Sequence, residues 1–177
     1  MTDDTKNTTS FKNQVAATAA GIFFILQLYV FAYSYNYSGI EIVRWIGWLL
    51  LIPSFLLITF SITAFMKYGA IEEGKSWVYT TDFVQKGIYE IIRHPFSVGW
   101  TMFVIALAFT SQHWLCMFFM ILQIPFILLE IIFEEELNSE KFGSCYSSYQ
   151  SEVPMVNLFT GLVRYLKNRQ NVKPRAD

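Results

Sequence analysis

Four stretches of this chain carry no Asp, Glu, Lys or Arg, at residues 15–35, 45–66, 96–112 and 114–129, and polar residues gather in the segments around them. Each approaches the roughly 20 apolar residues that an α-helix needs to cross about 30 Å of hydrocarbon. The pattern predicts an all-α integral membrane protein with about four transmembrane helices. The third and fourth stretches are short and only Gln112 and His113 divide them, so they predict a tight helical hairpin, tilted or reaching partway across. The first is expected to stay as a helix rather than be cleaved as a signal, since a polar segment of mixed charge precedes it and no small-residue cleavage site follows.

Beyond residue 129 the fourth helix is expected to continue through Glu134 to Lys141, where Phe142-Gly143 ends or bends it before Tyr146, Tyr149 and Pro154. Residues 155–167 mix apolar positions with Arg164 and Lys167 as an amphipathic helix at the membrane interface does. No repeat or low-complexity linker divides the chain, so residues 1–177 read as a single domain.

Composition agrees with the pattern: 54% of the 177 residues are hydrophobic and 18% aromatic, against an apolar share of about 45 to 50% in soluble domains. Of the 13 Lys and Arg residues, Arg44 alone falls on the side opposite the two tails and the loop at 67–93. That asymmetry predicts a multi-pass protein with both termini and the long loop in the cytoplasm. A net charge of −1 argues against a nucleic-acid partner, and the basic run Arg164, Lys167, Arg169, Lys173 and Arg175 suits a membrane surface. Cys116 lies in the fourth stretch and Cys145 in the polar segment after it, so both are expected to be free thiols.

Candidate chemistry sits at two polar borders. Within the loop, Gly69, Gly74 and Gly87 lie among charged residues, and Thr80-Thr81-Asp82 can supply turn or cap oxygens. Pro95 pushes His94 out of the α region and can itself start the next helix, making His94 an N-cap beside amide donors that attract an anionic group. Alone, Arg93 reads equally as a snorkelling interfacial residue and His94 as a cap. At the other border, Glu134, Glu135 and Glu136 stand where the fourth helix leaves the membrane, a position that also suits a solvated helix end.

Glu130 lies one turn earlier, at the edge of the apolar stretch, where an ionised carboxylate is costly unless paired. Glu130 and Glu134 are i, i+4 neighbours, so either one of the two is protonated, or both face a cation or Lys141, or Glu130 reaches water. Gln123 and Pro125 can kink the fourth helix and place a polar contact inside the bundle. His113 has no Cys, His or Asp companions nearby, and no metal site is expected.

From residue 80 to 154 the chain resembles the isoprenylcysteine carboxyl methyltransferase family, within the wider group of small membrane methyltransferases that includes phospholipid N-methyltransferases. The resemblance rests on Gly87, Tyr89, Arg93-His94-Pro95, Val98-Gly99-Trp100, Glu134-Glu135, Phe142-Gly143, Tyr146, Tyr149 and Val153-Pro154, in the family's order and approximate spacing. It implies S-adenosylmethionine as methyl donor, held under the cytoplasmic face by the loop, the Arg-His-Pro turn, the acidic helix end and the C-terminal helical segment. The family's cofactor-lining positions fall on Phe83, Val84, Tyr89, His94, Pro95 and Glu134, with Ser97 and Glu135 as supports. Arg93 and Glu130 are the candidate catalytic residues.

Two positions depart from the family. Ser97 stands where members often carry Tyr. More sharply, Glu130 stands where its carboxyl methyltransferases carry a substrate-contacting Arg, and no Arg occurs between Arg93 and Arg164. With the charge at the acceptor site reversed, the expected acceptor is an amine or another neutral or cationic group on a lipid-like molecule in the bilayer, rather than a prenylcysteine carboxylate. Two other readings stand beside this one: an NAD(P)H-dependent membrane reductase of the sterol reductase type, and a catalytically inactive lipid-binding membrane subunit.

Overall fold

The computed structural model describes residues 3–34, 36, 38–69 and 83–171. In chain order its helices are α1 (Asp3–Tyr33), α2 (Glu41–Tyr68), α3 (Pro95–Ser111), α4 (Trp114–Phe142), α5 (Ser144–Glu152) and α6 (Leu158–Asn171), with a 3-10 turn at Gly87–Glu90 ahead of α3. Among the described residues the architecture is entirely helical. Three helices are long and apolar enough to cross a membrane: α1 over Thr8–Tyr33, α2 and α4. The fourth, α3, has 17 residues, about 25 Å of helix, and is the short member that the sequence suggested. Its partner α4 runs for 29 residues, about 43 Å, so its acidic last turns extend past the hydrocarbon thickness.

The bundle is two close pairs, α2 with α3 and α1 with α4, joined along the α3–α4 hairpin. Gly99 sets the first pair: a Cβ there would lie 2.9 Å from Leu57 Cβ and 3.1 Å from the Ser54 carbonyl. Ser54 Oγ uses the same close approach to donate to the Gly99 carbonyl at 2.9 Å. Inside the bundle, Gln27 Nε2 donates to the Val104 carbonyl at 2.9 Å and Gln123 Nε2 to Gln27 Oε1 at 2.7 Å. Gln123 thus makes the interior polar contact expected of it, while α4 continues through Pro125 without a break.

At the end away from Pro95, Gln112 closes the hairpin in a left-handed conformation at φ 47°. Its side-chain amide pairs with both backbone groups of Ile40, at 2.7 Å each. Cys116 is buried and Cys145 exposed, both as free thiols.

The opposite end carries the short elements. After α5, residues 153–157 lead into α6, which lies against the 3-10 turn because Gly161 has no side chain. A Cβ at that position would meet the Ile91 carbonyl oxygen at 2.1 Å. Arg164 Nη2 also donates to the Glu90 carbonyl. Phe159, Leu162, Val163 and Leu166 are left exposed along one stripe of the helix, as an interfacial amphipathic helix requires. Gly74, Thr80, Thr81 and Asp82 of the long loop, and Lys173 and Arg175 of the basic run, lie outside the described residues.

Candidate active site

The Arg-His-Pro triplet is held in place by its backbone before any side chain is considered. Gly87 takes φ +71°, which a residue without Cβ adopts freely, and the 3-10 turn it opens delivers the fully buried Ile92. The amides of Arg93 and His94 then donate to the carbonyls of Pro154 (3.0 Å) and Met155 (3.1 Å). Those two N–H groups are therefore committed to the chain, and any open amide donors beside His94 belong to the first turn of α3, at Phe96 and Ser97. Pro95 is the first helical residue and His94 the N-cap, with a side chain that makes no capping bond. The imidazole is free to reach across to α4.

There the last turns of α4 present two adjacent carboxylates in different environments. Glu135 is a hub. Its Oε1 lies 2.6 Å from His94 Nε2 and accepts from the Tyr146 hydroxyl at 2.8 Å. Its Oε2 accepts from Gln150 Nε2 at 2.8 Å and faces Arg93 Nη1 at 2.7 Å. The Arg93 contact is an ion pair whose N–H is not aligned as a hydrogen bond, and Arg93 Nε is buried with no hydrogen-bond partner among the described residues. Glu134, by contrast, keeps 43% of its side chain exposed and, among the described residues, pairs only with His94 Nδ1, at 3.4 Å. Most of its acceptor capacity is available.

Burial alone would discharge His94. Hydrogen bonds to Glu134 and Glu135 and the charges behind them outweigh that desolvation and hold the imidazolium pKa up to about 9. The site at neutral pH thus contains a buried cation with both ring nitrogens donating. Three phenols near the carboxylates stay neutral, their pKa values raised first by burial: Tyr89, with the nearby Glu134 charge adding, Tyr146, with its bond to Glu135 adding, and Tyr149. Tyr149 donates to the Tyr89 carbonyl at 2.7 Å, tying α5 to the 3-10 turn.

The sequence-derived residues divide by position. Arg93, His94, Glu134 and Glu135 form one connected cluster, with Tyr89 and the half-buried Glu130 within electrostatic reach of Glu134. No ion-pair partner of Glu130 occurs among the described residues. Val84 packs with Ala64 and Tyr89 on the α2 side, whereas Phe83 packs, tilted or edge-on, against Phe142, Tyr146 and Tyr149 on the α5 side. Pro95 is buried in the helix start, and the half-buried Ser97 lies one turn before Thr101, whose hydroxyl donates to its carbonyl at 2.8 Å.

Sequence reasoning missed Gln150, which bonds both Glu135 and Ser139 Oγ. Its spacing from Tyr146 and Tyr149, i+4 and i+1, places all three toward one side of a short helix. That spacing was the signal that could have found it.

A half-exposed carboxylate beside a buried imidazolium suits a small zwitterion: Glu134 can take an ammonium group, while His94 Nδ1, at the long 3.4 Å contact, can turn toward a carboxylate. His94 Nε2 cannot, being engaged by Glu135.

A family model described as phospholipid methyltransferase matches residues 42–144, more than half of the chain and reaching back through α2. A methanethiol S-methyltransferase of Pseudomonas sp. (strain GM41(2012)) is 32% identical over 117 residues, covering 63% of this chain and 42% of the relative. Methanethiol S-methyltransferase 2 of Bradyrhizobium diazoefficiens is 28% identical over 115 residues, 64% of this chain and 43% of the relative. The chain thus spans less than half the length of these curated relatives. No solved structure matches it.

Proposed function

Since the chain belongs to the phospholipid methyltransferase family, we propose that it transfers the methyl group of S-adenosylmethionine to an uncharged thiol or amine on an apolar acceptor that enters from the bilayer. The observation that carries this reading is the 3.4 Å pairing of half-exposed Glu134 with buried, protonated His94. Glu134 binds the donor's ammonium and His94 Nδ1 its carboxylate. Phe83, Val84 and Tyr89 cover the apolar part of the donor, with Pro95 and Ser97 shaping the near wall. Glu135 and Arg93 keep His94 oriented. When bound, the donor supplies an electrophilic methyl carbon on a positively charged sulfur.

The protein's share of catalysis is alignment and exclusion of water, as expected for an in-line displacement. Glu130 receives the proton that the acceptor's S–H or N–H loses as the new bond to carbon forms. A carboxylate acceptor is disfavoured because Glu130 would repel it and no guanidinium replaces the family's Arg. The names of the curated relatives favour a small thiol and the name of the family a phospholipid. A nicotinamide dinucleotide suits the site less well, since its phosphates would face Glu130 and Glu134. The domain is single, with both termini and the site on the cytoplasmic side.

Membranes containing the protein, incubated with methyl-labelled donor and separated into lipids, peptides and small thiols, should place label in the lipid or thiol fraction. His94→Ala and Glu134→Gln should abolish the transfer. Good turnover of prenylcysteine would overturn the acceptor assignment.

A further inference from the structure

A cleft of about 380 Å³ opens between α2, the 3-10 turn and α6, and neither His94 nor Glu134 lines it. Its walls are Phe60, Ala64, Ile88 and Ile91, while Lys67 and Tyr68 stand at its rim. Apolar and charged residues are sorted by depth. Phe60 is half exposed on the lipid-facing side of α2, whereas Lys67 lies in the last turn of that helix, about 10 Å further along its axis.

At the rim, two ammonium groups converge on one ring. Lys67 Nζ is 5.2 Å and Lys86 Nζ 5.7 Å from the centre of Tyr68. Among the described residues no carboxylate lines the cleft, and neither lysine has an ion-pair partner there. Two like charges so placed attract an anion, and the walls below them suit a hydrocarbon chain. α6 borders the cleft through Tyr165 and exposes Phe159, Leu162, Val163 and Leu166, so bilayer reaches this level of the protein.

We propose that this cleft seats an anionic phospholipid of the surrounding leaflet, with its phosphate at Lys67 and Lys86 and the upper part of one chain against Phe60, Ala64 and Ile91. The site is separate from methyl transfer and does not rest on that reading. The turn Gly87–Glu90 forms its inner wall and packs Tyr89 against Ala64 of α2.

Lipid retention, read by native mass spectrometry on detergent-released protein without donor, tests the assignment independently of activity. Offered phosphatidylglycerol and phosphatidylcholine in equal amounts, the protein should keep the anionic lipid with roughly tenfold preference, given the usual attraction per basic residue near a charged surface. The double variant Lys67→Glu/Lys86→Glu should lose that preference, as should Ala64→Phe, which fills the cleft without altering charge. Arg44→Glu, at the far end of the bundle, should keep it. Equal retention of the two lipids, a preference that survives both cleft variants, or equal competition by glycerol phosphate lacking chains would overturn the proposal.

Discussion

Glu134 and Glu135 are consecutive residues that share one imidazole and differ in everything else. Glu135 Oε1 holds His94 Nε2 at 2.6 Å, whereas Glu134 Oε2 stands 3.4 Å from Nδ1. Successive residues on a helix are turned by about 100°, so one carboxylate faces the α5 cluster and its neighbour the solvent-accessible side. The first is structural support and the second is open to a ligand.

Their substitutions should therefore separate. Glu135→Gln leaves Arg93 and His94 as cations with one carboxylate contact removed, and should destabilise the protein by about 3 to 5 kcal/mol. Glu134→Gln should change stability by less than about 1 kcal/mol while weakening donor binding at least tenfold. Thermal unfolding in detergent and donor titration read the two effects. Equal stability loss in both variants would contradict the division.

The raised pKa of His94, about 9 against an ordinary 6.5, makes stability depend on pH in a defined direction. Its protonated form is favoured by folding, so its contribution, on the order of 3 kcal/mol, is fully present below about pH 6.5. It is lost as pH rises through about 9. Glu134, Glu135, Glu130, Arg93 and Tyr146 are the charged or titratable groups around it among the described residues. The midpoint of thermal unfolding should fall between pH 7 and 9.5, and His94→Gln should flatten that slope.

Gly161 should tolerate no side chain without movement of α6. Gly161→Ala forces a Cβ against the Ile91 carbonyl, and the longer Gly161→Leu should release the helix from the 3-10 turn. Hydrogen exchange over residues 158–171 should then rise severalfold relative to wild type, with exchange in α2 and α4 unchanged.

At the acceptor end, Glu130→Arg supplies the guanidinium that the resembling carboxyl methyltransferases carry. It should lower turnover of thiol and amine acceptors by at least tenfold and improve binding of a carboxylate-bearing prenylcysteine. Glu130→Gln should depress turnover with little change in donor affinity, since it removes the proposed proton acceptor and leaves Glu134 intact. Donor titration beside steady-state assays separates the two.

Patterning along the chain was enough to reveal the helices. The uncharged stretches and the brevity of α3 follow from hydrocarbon thickness acting on residue type, and Pro95 and Gly143 mark helix boundaries through local backbone sterics. The pairing of α2 with α3 depends on how closely Gly99 lets two backbones approach, a fact about surfaces that no single segment contains. Likewise, spacing placed Glu130 and Glu134 on one face and brought the Arg-His-Pro turn to the same end.

What hydropathy could not express was the allocation of hydrogen bonds. Glu135 became the buried hub because Tyr146 and Gln150 arrive from a separate helix, and the amides of Arg93 and His94 were consumed by carbonyls some sixty residues away in sequence. Helix identity and membrane character are local properties of residue type. Which of two adjacent carboxylates stays open to a ligand depends on distant donors converging in space, and only the tertiary structure decided it.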